Sequence, residues 1–127
     1  MKNIILTIAS LYGMIAVILG AFGAHAFKKL ISAEKLASFE VGVRYQMYHA
    51  IVLLAVGMYF QFNTGIEKSA AWFLIAGTFI FSVSIYFLSF AEYWNANLKF
   101  LGPITPLGGL FMIIGWALLA WIFIKGK

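Results

Sequence analysis

Four long apolar stretches, separated by short polar segments, dominate the sequence. They run from about residue 3 to 27, 44 to 62, 70 to 90 and 105 to 124. Each is long enough for a helix that crosses the hydrocarbon core of a bilayer, which takes about 20 residues at a rise of 1.5 Å per residue. We therefore predict an all-α, polytopic membrane protein. Its residues 1–127 form a single membrane domain, folded as a bundle of four transmembrane helices.

The polar segment between the first two spans, residues 28–43, has a helical pattern of its own. Ser32 can open a helix, and Leu36, Phe39 and Val43 recur at the spacing of one helix face. An amphipathic helix of this kind lies in the plane of the membrane surface. We expect a short interfacial helix here, between spans one and two.

The first span could also be a cleaved leader, because Ala24-His25-Ala26 has the small-x-small pattern of a signal-peptidase site. A retained helix is favoured because the apolar run is longer than that of a leader and three more spans follow. Small residues also form one stripe along it, where another helix can approach closely; they are Ala9, Gly13, Ala16, Gly20 and Gly23. The predicted helix-packing glycines are Gly13, Gly20, Gly23, Gly108 and Gly115.

Composition and charge support a membrane environment. Hydrophobic residues make up 64% of the chain and charged residues 10%, against about half and a quarter in soluble proteins. A net charge of +5 would suggest nucleic acid binding in a soluble protein. Here the Lys and Arg residues lie in loops and tails, where they meet lipid headgroups. We predict the lipid bilayer as a partner, and no nucleic acid.

An even number of spans predicts that both termini lie on the same side of the membrane. Charge does not orient the chain, because the cations are almost equally divided. The side with the termini has Lys2, Lys68, Lys125 and Lys127, and the other has Lys28, Lys29, Lys35, Arg44 and Lys99. Four short spans also enclose little interior, so we expect a homo-oligomer.

Most of the unusual polar residues fall near the span ends opposite the termini. Alternating helix directions bring these ends to one face of the membrane. Ionisable groups at membrane depth usually face the bundle interior or a water-filled cavity. We therefore predict a polar pocket for a small polar or anionic solute, or a lipid headgroup, in transport or sensing. Its residues are His25, Arg44, Gln46, His49, Ser82, Ser89 and Thr105.

These residues also have a purely structural interpretation. Glu40 and Arg44 are four apart and can form an ion pair on one helix, and amide or hydroxyl side chains often join transmembrane helices. The competing hypothesis is therefore a structural or accessory membrane subunit without a ligand. A third hypothesis is a small multidrug-exporter-like transporter, whose membrane carboxylate could only be Glu92.

The sequence contains no enzyme signature. Two histidines without any aspartate or cysteine make a poor metal site. There is no HExxH, GxSxG or phosphate-binding loop. We expect a protein that is not an enzyme and has no cofactor or metal. The sequence does not identify a small-molecule ligand.

Four motifs together resemble the DUF423 (UPF0382) family of small membrane proteins, which includes the eukaryotic transmembrane protein 256 group. They are GAFGAHAFKK (20–29), RYQMYHA (44–50), FSVSIYFLS (81–89) and LGPITPLGGLFMIIGW (101–116). The third departs from the family's usual FSGS at Val83, which puts a very close helix approach there in question. The resemblance implies a four-helix protein of the bacterial inner membrane. It brings no catalytic residues, because the family has no established biochemical role.

Overall fold

Four long helices joined by short connections make up the protein. The computed structural model describes residues 1–126, apart from the side chain of Ala24. The helices are α1 (Lys2–His25), α2 (Ala33–Tyr59), α3 (Gly65–Phe90) and α4 (Ile104–Ile124). All four are long and apolar enough to cross a membrane, so the prediction of a four-span, all-α protein is confirmed. Lys127, one of the cations counted above, lies outside the described residues.

The segment between the first two spans differs from the prediction. Ser32 opens α2 as expected, because its Oγ accepts a hydrogen bond from the backbone N–H of Lys35 (3.2 Å). The helix does not end at the membrane surface, however, and continues unbroken to Tyr59. Residues 33–43 contain no proline and are rich in good helix formers, so nothing separates an interfacial helix from the span. The predicted short helix is therefore the first part of α2.

Helices that follow one another in sequence also pack against one another. The stripe of small residues on α1 faces α2. A Cβ atom added to Gly13 would lie 3.8 Å from the Ala50 Cβ, and one added to Gly20 would lie 3.6 Å from a methyl group of Val43. Since the residue numbers rise on α1 as they fall on α2, the two helices are antiparallel.

Helices α3 and α4 approach each other backbone to backbone. A Cβ added to Gly77 would lie 2.7 Å from the backbone nitrogen of Met112, and one added to Gly108 would collide with the backbone nitrogen of Phe81. At Gly115 the corresponding space is filled by a side chain of α3. Such close approach maximises van der Waals contact, which drives helix association where lipid is as apolar as leucine.

The half of the bundle that contains the start of α1 and the end of α4 has an apolar interior. All four helices contribute to it. We call this cluster the apolar core: Ile5, Ala9, Leu53, Val56, Phe60, Phe62, Ala70, Ala71, Leu74, Ile75, Leu119 and Ile122. Lys2 closes this end by donating through Nζ to the carbonyl oxygens of Met58 (2.9 Å) and Phe60 (2.8 Å). A cation is favourable there because the end of α2 carries partial negative charge.

Candidate functional site

In the other half of the bundle, buried polar side chains join the helices. Gln46 on α2 donates through Nε2 to the backbone carbonyl of Tyr12 on α1 (2.9 Å). Its Oε1 accepts a hydrogen bond from the Tyr86 hydroxyl on α3 (2.6 Å). The Tyr12 hydroxyl in turn donates to the carbonyl of Ile75 on α3 (2.8 Å). One chain of hydrogen bonds thus links three helices, and the Gln46 amide is engaged by the protein itself.

Hydroxyl groups make further connections between helices. Ser82 on α3 donates to the carbonyl of Gly42 on α2 (2.8 Å). The hydroxyls of Ser84 and Thr105 lie 2.6 Å apart and join α3 to α4. Ser84 Oγ lies 2.9 Å from the carbonyl oxygen of Phe81, whereas Thr105 Oγ1 lies 3.4 Å from that of Leu101; since the shorter contact takes the Ser84 proton, we assign Thr105 as the donor in this pair. Together with His49, these groups form what we call the hydrogen-bonded layer: Tyr12, Gln46, His49, Ser82, Ser84, Tyr86 and Thr105.

His49 connects α2 to α4 through both of its ring nitrogens. Its Nδ1 lies 2.7 Å from the carbonyl oxygen of Tyr45, one turn earlier. The Trp116 indole nitrogen, which can only donate, lies 3.1 Å from His49 Nε2. Nε2 is therefore the acceptor and Nδ1 carries the proton. This neutral tautomer satisfies both nitrogens, so His49 acts as a link between helices.

The second histidine of the predicted pocket lies far from the first. His25 is exposed in the last turn of α1. On the same helix, Gly13 is level with Ala50, the neighbour of His49. His25 lies 12 positions beyond Gly13, which corresponds to about 18 Å along the helix axis at 1.5 Å per residue. The two imidazoles therefore do not belong to one pocket.

The charged residues invoked in the sequence analysis are exposed. Glu40 and Arg44 both lie exposed on α2, where water and headgroups can solvate them. Glu92, the carboxylate on which the exporter hypothesis depends, is exposed beyond the end of α3. None of these side chains is enclosed by the helices.

An open groove of about 530 Å³ lies between α2, α3 and α4, at the end of the bundle that carries the α1–α2 and α3–α4 connections. Its polar lining consists of Lys35 and the hydroxyl residues Ser38, Ser89 and Thr105. Lys35 is half-buried. The sequence analysis did not select Lys35, because it placed this residue on a separate helix at the membrane surface. The signal that could have identified Lys35 is its place in the first turn after the Ser32 cap, because the helix that starts there continues into the second span.

A smaller cavity of about 250 Å³ lies between α1, α2 and α3, and Gln46 lines part of it. Thr78 also lines it and is fully buried. Its hydroxyl has no hydrogen-bond partner among the described residues. Val83, the departure from the family's FSGS pattern, lines this cavity too. Its side chain therefore does not obstruct the backbone contact between α3 and α4.

The structure divides the seven residues of the predicted pocket into three groups. Contacts between helices bury Gln46, His49 and Ser82. The groove is lined by Ser89 and Thr105. The residues exposed elsewhere are His25 and Arg44. The groove therefore holds two of the seven residues, and it adds Lys35, a cation that was not selected.

Comparison with known proteins now identifies the family. Residues 19–109 match the family model "Protein of unknown function (DUF423)". The chain belongs to this family. A UPF0382 membrane protein of Staphylococcus aureus is 39% identical over 92% of this chain and 92% of its own length. One of Bacillus subtilis is 36% identical over 97% of this chain and 98% of its own length.

The family extends beyond bacteria. A UPF0382 membrane protein of Schizosaccharomyces pombe is 34% identical over 87% of this chain and 92% of its own length. No solved structure matches the chain. The names of these relatives and the four apolar helices together show an integral membrane protein whose environment is the lipid bilayer. The resemblance drawn from the four motifs is confirmed.

Proposed function

We propose that the protein binds a phosphate-type anion, from a lipid headgroup or a small solute, in the groove between α2, α3 and α4. The observation that carries this proposal is the half-buried Lys35 in the groove wall. The hydroxyl of Ser38 accompanies it, and the residues described as lining the groove include no carboxylate. Lysine is a common point-charge partner of phosphate. The role is one of binding, in transport or sensing, and not of catalysis.

Two helix ends add positive potential at the same place. α2 begins at Ala33, two residues before Lys35, and α4 begins at Ile104, next to Thr105. No side chain caps the start of α4, and Pro106 in its first turn has no N–H, so the donors open to an acceptor there are the N–H groups of Ile104 and Thr105. The N-terminus of a helix carries about half a positive charge and favours anions. The groove therefore suits a negatively charged ligand.

The proposal places the groove at headgroup depth in a bacterial inner membrane, on the side opposite both termini. The connections at this end also carry Lys28, Lys29 and Lys99. Lysines near the surface of an anionic leaflet contribute about 1 kcal/mol each to attraction. They would raise the local concentration of anions without forming the site.

Thermal unfolding of the purified protein in detergent tests the proposal. The probes are dioleoylphosphatidylglycerol as the lipid source of phosphate and inorganic phosphate as the free source. We expect at least one probe to raise the melting temperature of the native protein. Lys35→Gln should weaken the apparent affinity about tenfold, since a hydrogen bond to a charged group contributes about 1.5–3 kcal/mol.

The matched control is Lys28→Gln, which makes the same change at an exposed lysine of the same membrane face. It should keep the full shift in melting temperature. If the two lysine variants respond alike, or if neither probe shifts the native protein, the groove is not an anion site.

A second candidate function is that of a structural or accessory membrane subunit without a ligand. It is favoured by Gln46, His49 and Ser82, because their polar groups are occupied by other helices. Under this hypothesis neither probe changes the melting temperature. The exporter-like transporter ranks third, because its reaction needs a carboxylate inside the membrane and Glu92 is exposed beyond α3.

We also propose that the protein forms a homo-oligomer in the bilayer. In support, the face of α1 directed away from α2 exposes large apolar side chains, among them Met14, Val17 and Phe22. Light scattering of the protein–detergent complex, corrected for bound detergent, gives the protein mass. A mass equal to one chain at every protein concentration would overturn this part of the proposal.

A further inference from the structure

We infer that the ligand of the groove is a glycerophospholipid, held by its phosphate and by one acyl chain, rather than a free anion. This inference rests on the proposed anion site and specifies its ligand. It follows from the way in which the lining of the groove changes with depth in the membrane.

The mouth of the groove is polar. Lys35 and Ser38 lie in the first two turns of α2, and Ser89 lies in the last turn of α3. The start of α2 and the end of α3 lie beside the α1–α2 and α3–α4 connections. Lipid phosphates lie at this level if the long helices span the bilayer. An anion at Lys35 is therefore at the depth of the headgroups.

Further into the membrane the same helices present an apolar wall. Val41 on α2 lies six positions past Lys35, and Ile85 on α3 lies four positions before Ser89. At 1.5 Å per residue the wall extends about 6–9 Å below the mouth. Leu88 belongs to the same wall. A hydrated anion would leave this surface without a matching partner, whereas an acyl chain can lie along it.

The hydroxyls on α3 and α4 do not change this picture, because they are already bonded. Ser89 donates to the carbonyl of Ile85 (2.8 Å), and Thr105 pairs with Ser84 (2.6 Å). Lys35 thus binds the phosphate group at the mouth, and the apolar wall contacts an acyl chain. Since an acyl chain is surrounded by hydrocarbon in the bilayer as well, the wall contributes contact and not transfer out of water. The covalent link between chain and phosphate raises the effective concentration of phosphate at Lys35.

Three probes separate these contributions in a binding measurement by native mass spectrometry of the detergent-solubilised full chain. Dioleoylphosphatidylglycerol carries phosphate and chains, glycerol 3-phosphate carries phosphate alone, and dioleoylglycerol carries chains alone. We expect the phospholipid to bind at least about tenfold more tightly than either fragment, as expected for two linked contacts.

Variants at the two parts of the groove sharpen the test. Val41→Trp fills the apolar wall and should weaken phospholipid binding while leaving glycerol 3-phosphate binding unchanged. Ile51→Trp is the matched control, since it adds the same side chain at an exposed position of α2 outside the groove lining. Lys35→Gln should weaken both phosphate-containing probes. If Val41→Trp does not fold, Leu88→Trp fills the same wall from α3.

The possible failures are distinguishable. If glycerol 3-phosphate binds as tightly as the phospholipid and the wall variants change neither affinity, the lipid inference is overturned and the anion site stands. If dioleoylglycerol binds as tightly as the phospholipid and Lys35→Gln has no effect, both the inference and the anion site are overturned.

Discussion

The two halves of the bundle are held together by different interactions. In the apolar core, Ile5, Leu53 and Leu74 are each 0% exposed and contact other hydrocarbon groups. In the hydrogen-bonded layer, Gln46 and Ser82 are almost as well buried but donate to carbonyl groups of neighbouring helices. A bilayer offers the separated helices an environment as apolar as leucine. Packing in the first half and directional bonds in the second must therefore replace the hydrophobic effect.

This difference shows that polar residues at membrane depth are not by themselves evidence of a ligand site. The hydrogen-bonded layer has the composition of a binding pocket, yet its members use one another and the backbone as partners. The groove beside this layer has fewer polar groups, and its cation, Lys35, lines an open cavity. The hydrogen-bonded layer and the groove share Thr105 at their border. Otherwise they have separate roles, the layer in fixing helix positions and the groove in binding.

The largest effect should come from the contact between α3 and α4, which lies between the two halves. Gly108→Ala places a methyl group against the backbone of Phe81, and rigid backbone atoms cannot move aside cheaply. We expect a loss of about 3 kcal/mol or more in the free energy of unfolding, measured by SDS titration in mixed micelles with circular dichroism.

The adjacent glycine provides the control for that experiment. A Cβ at Gly109 would lie 3.9 Å from the nearest atom of Phe81, an ordinary contact. Gly109→Ala should therefore leave stability within about 0.5 kcal/mol. Equal losses for the two alanine variants would show that the close backbone approach does not stabilise the contact between α3 and α4.

In the apolar core, Leu53→Ala should cost about 2 kcal/mol of unfolding free energy. This is the low end of the range for buried leucines, because lipid removes the transfer part of the cost and leaves the cavity. Ile51→Ala, at an exposed position of the same helix, is the control and should be near neutral. The same SDS titration measures both variants, and equal values would mean that the core is loosely packed.

In the hydrogen-bonded layer, a double-mutant cycle isolates the bond between Gln46 and Tyr86. We expect Gln46→Ala and Tyr86→Phe to be coupled by about 0.6–1.7 kcal/mol, from the average to the largest value found for hydrogen bonds between membrane helices. A coupling energy of zero would indicate that the layer does not stabilise the bundle.

The smallest predicted effect has the opposite sign. Thr78 is 0% exposed and its hydroxyl has no partner among the described residues. Thr78→Val removes an unpaired polar group at little change in shape, so we expect a gain of up to about 1 kcal/mol. Ser82→Ala is the contrast, since it removes a bonded hydroxyl and should lower stability. A loss for Thr78→Val would mean that its hydroxyl is hydrogen-bonded inside the folded protein.

The positions of the spans could be predicted from hydropathy, because each apolar run ends where polar residues meet water. The starts of α2 and α3 were exceptions, and α3 begins at Gly65 rather than near residue 70. Hydropathy places the start of the second span near residue 44, but the helix begins at Ala33 because Ser32 caps it there. The hydropathy boundary marks where apolar residues become continuous, whereas capping marks the end of the helix, and the two need not coincide.

The candidate site was harder to predict, for a geometric reason. Sequence gives the depth of a residue along its span but not the neighbour toward which it points. Gln46 and His49 were placed in one layer, but the partner of His49 is Trp116, 67 positions away on α4. The Ser32 cap was a local signal that Lys35 belongs to the second span, but the residue becomes part of a site only through the way in which three helices meet.

The central claim is that binding belongs to the groove and that the hydrogen-bonded layer only holds the helices. The most direct test compares phosphatidylglycerol affinity and unfolding free energy in Gln46→Ala and Lys35→Gln. We predict that Gln46→Ala is less stable but keeps the native affinity, while Lys35→Gln is as stable as the native protein and binds about tenfold more weakly. A folded Gln46→Ala variant that loses lipid binding, with Lys35→Gln unaffected, would contradict the account.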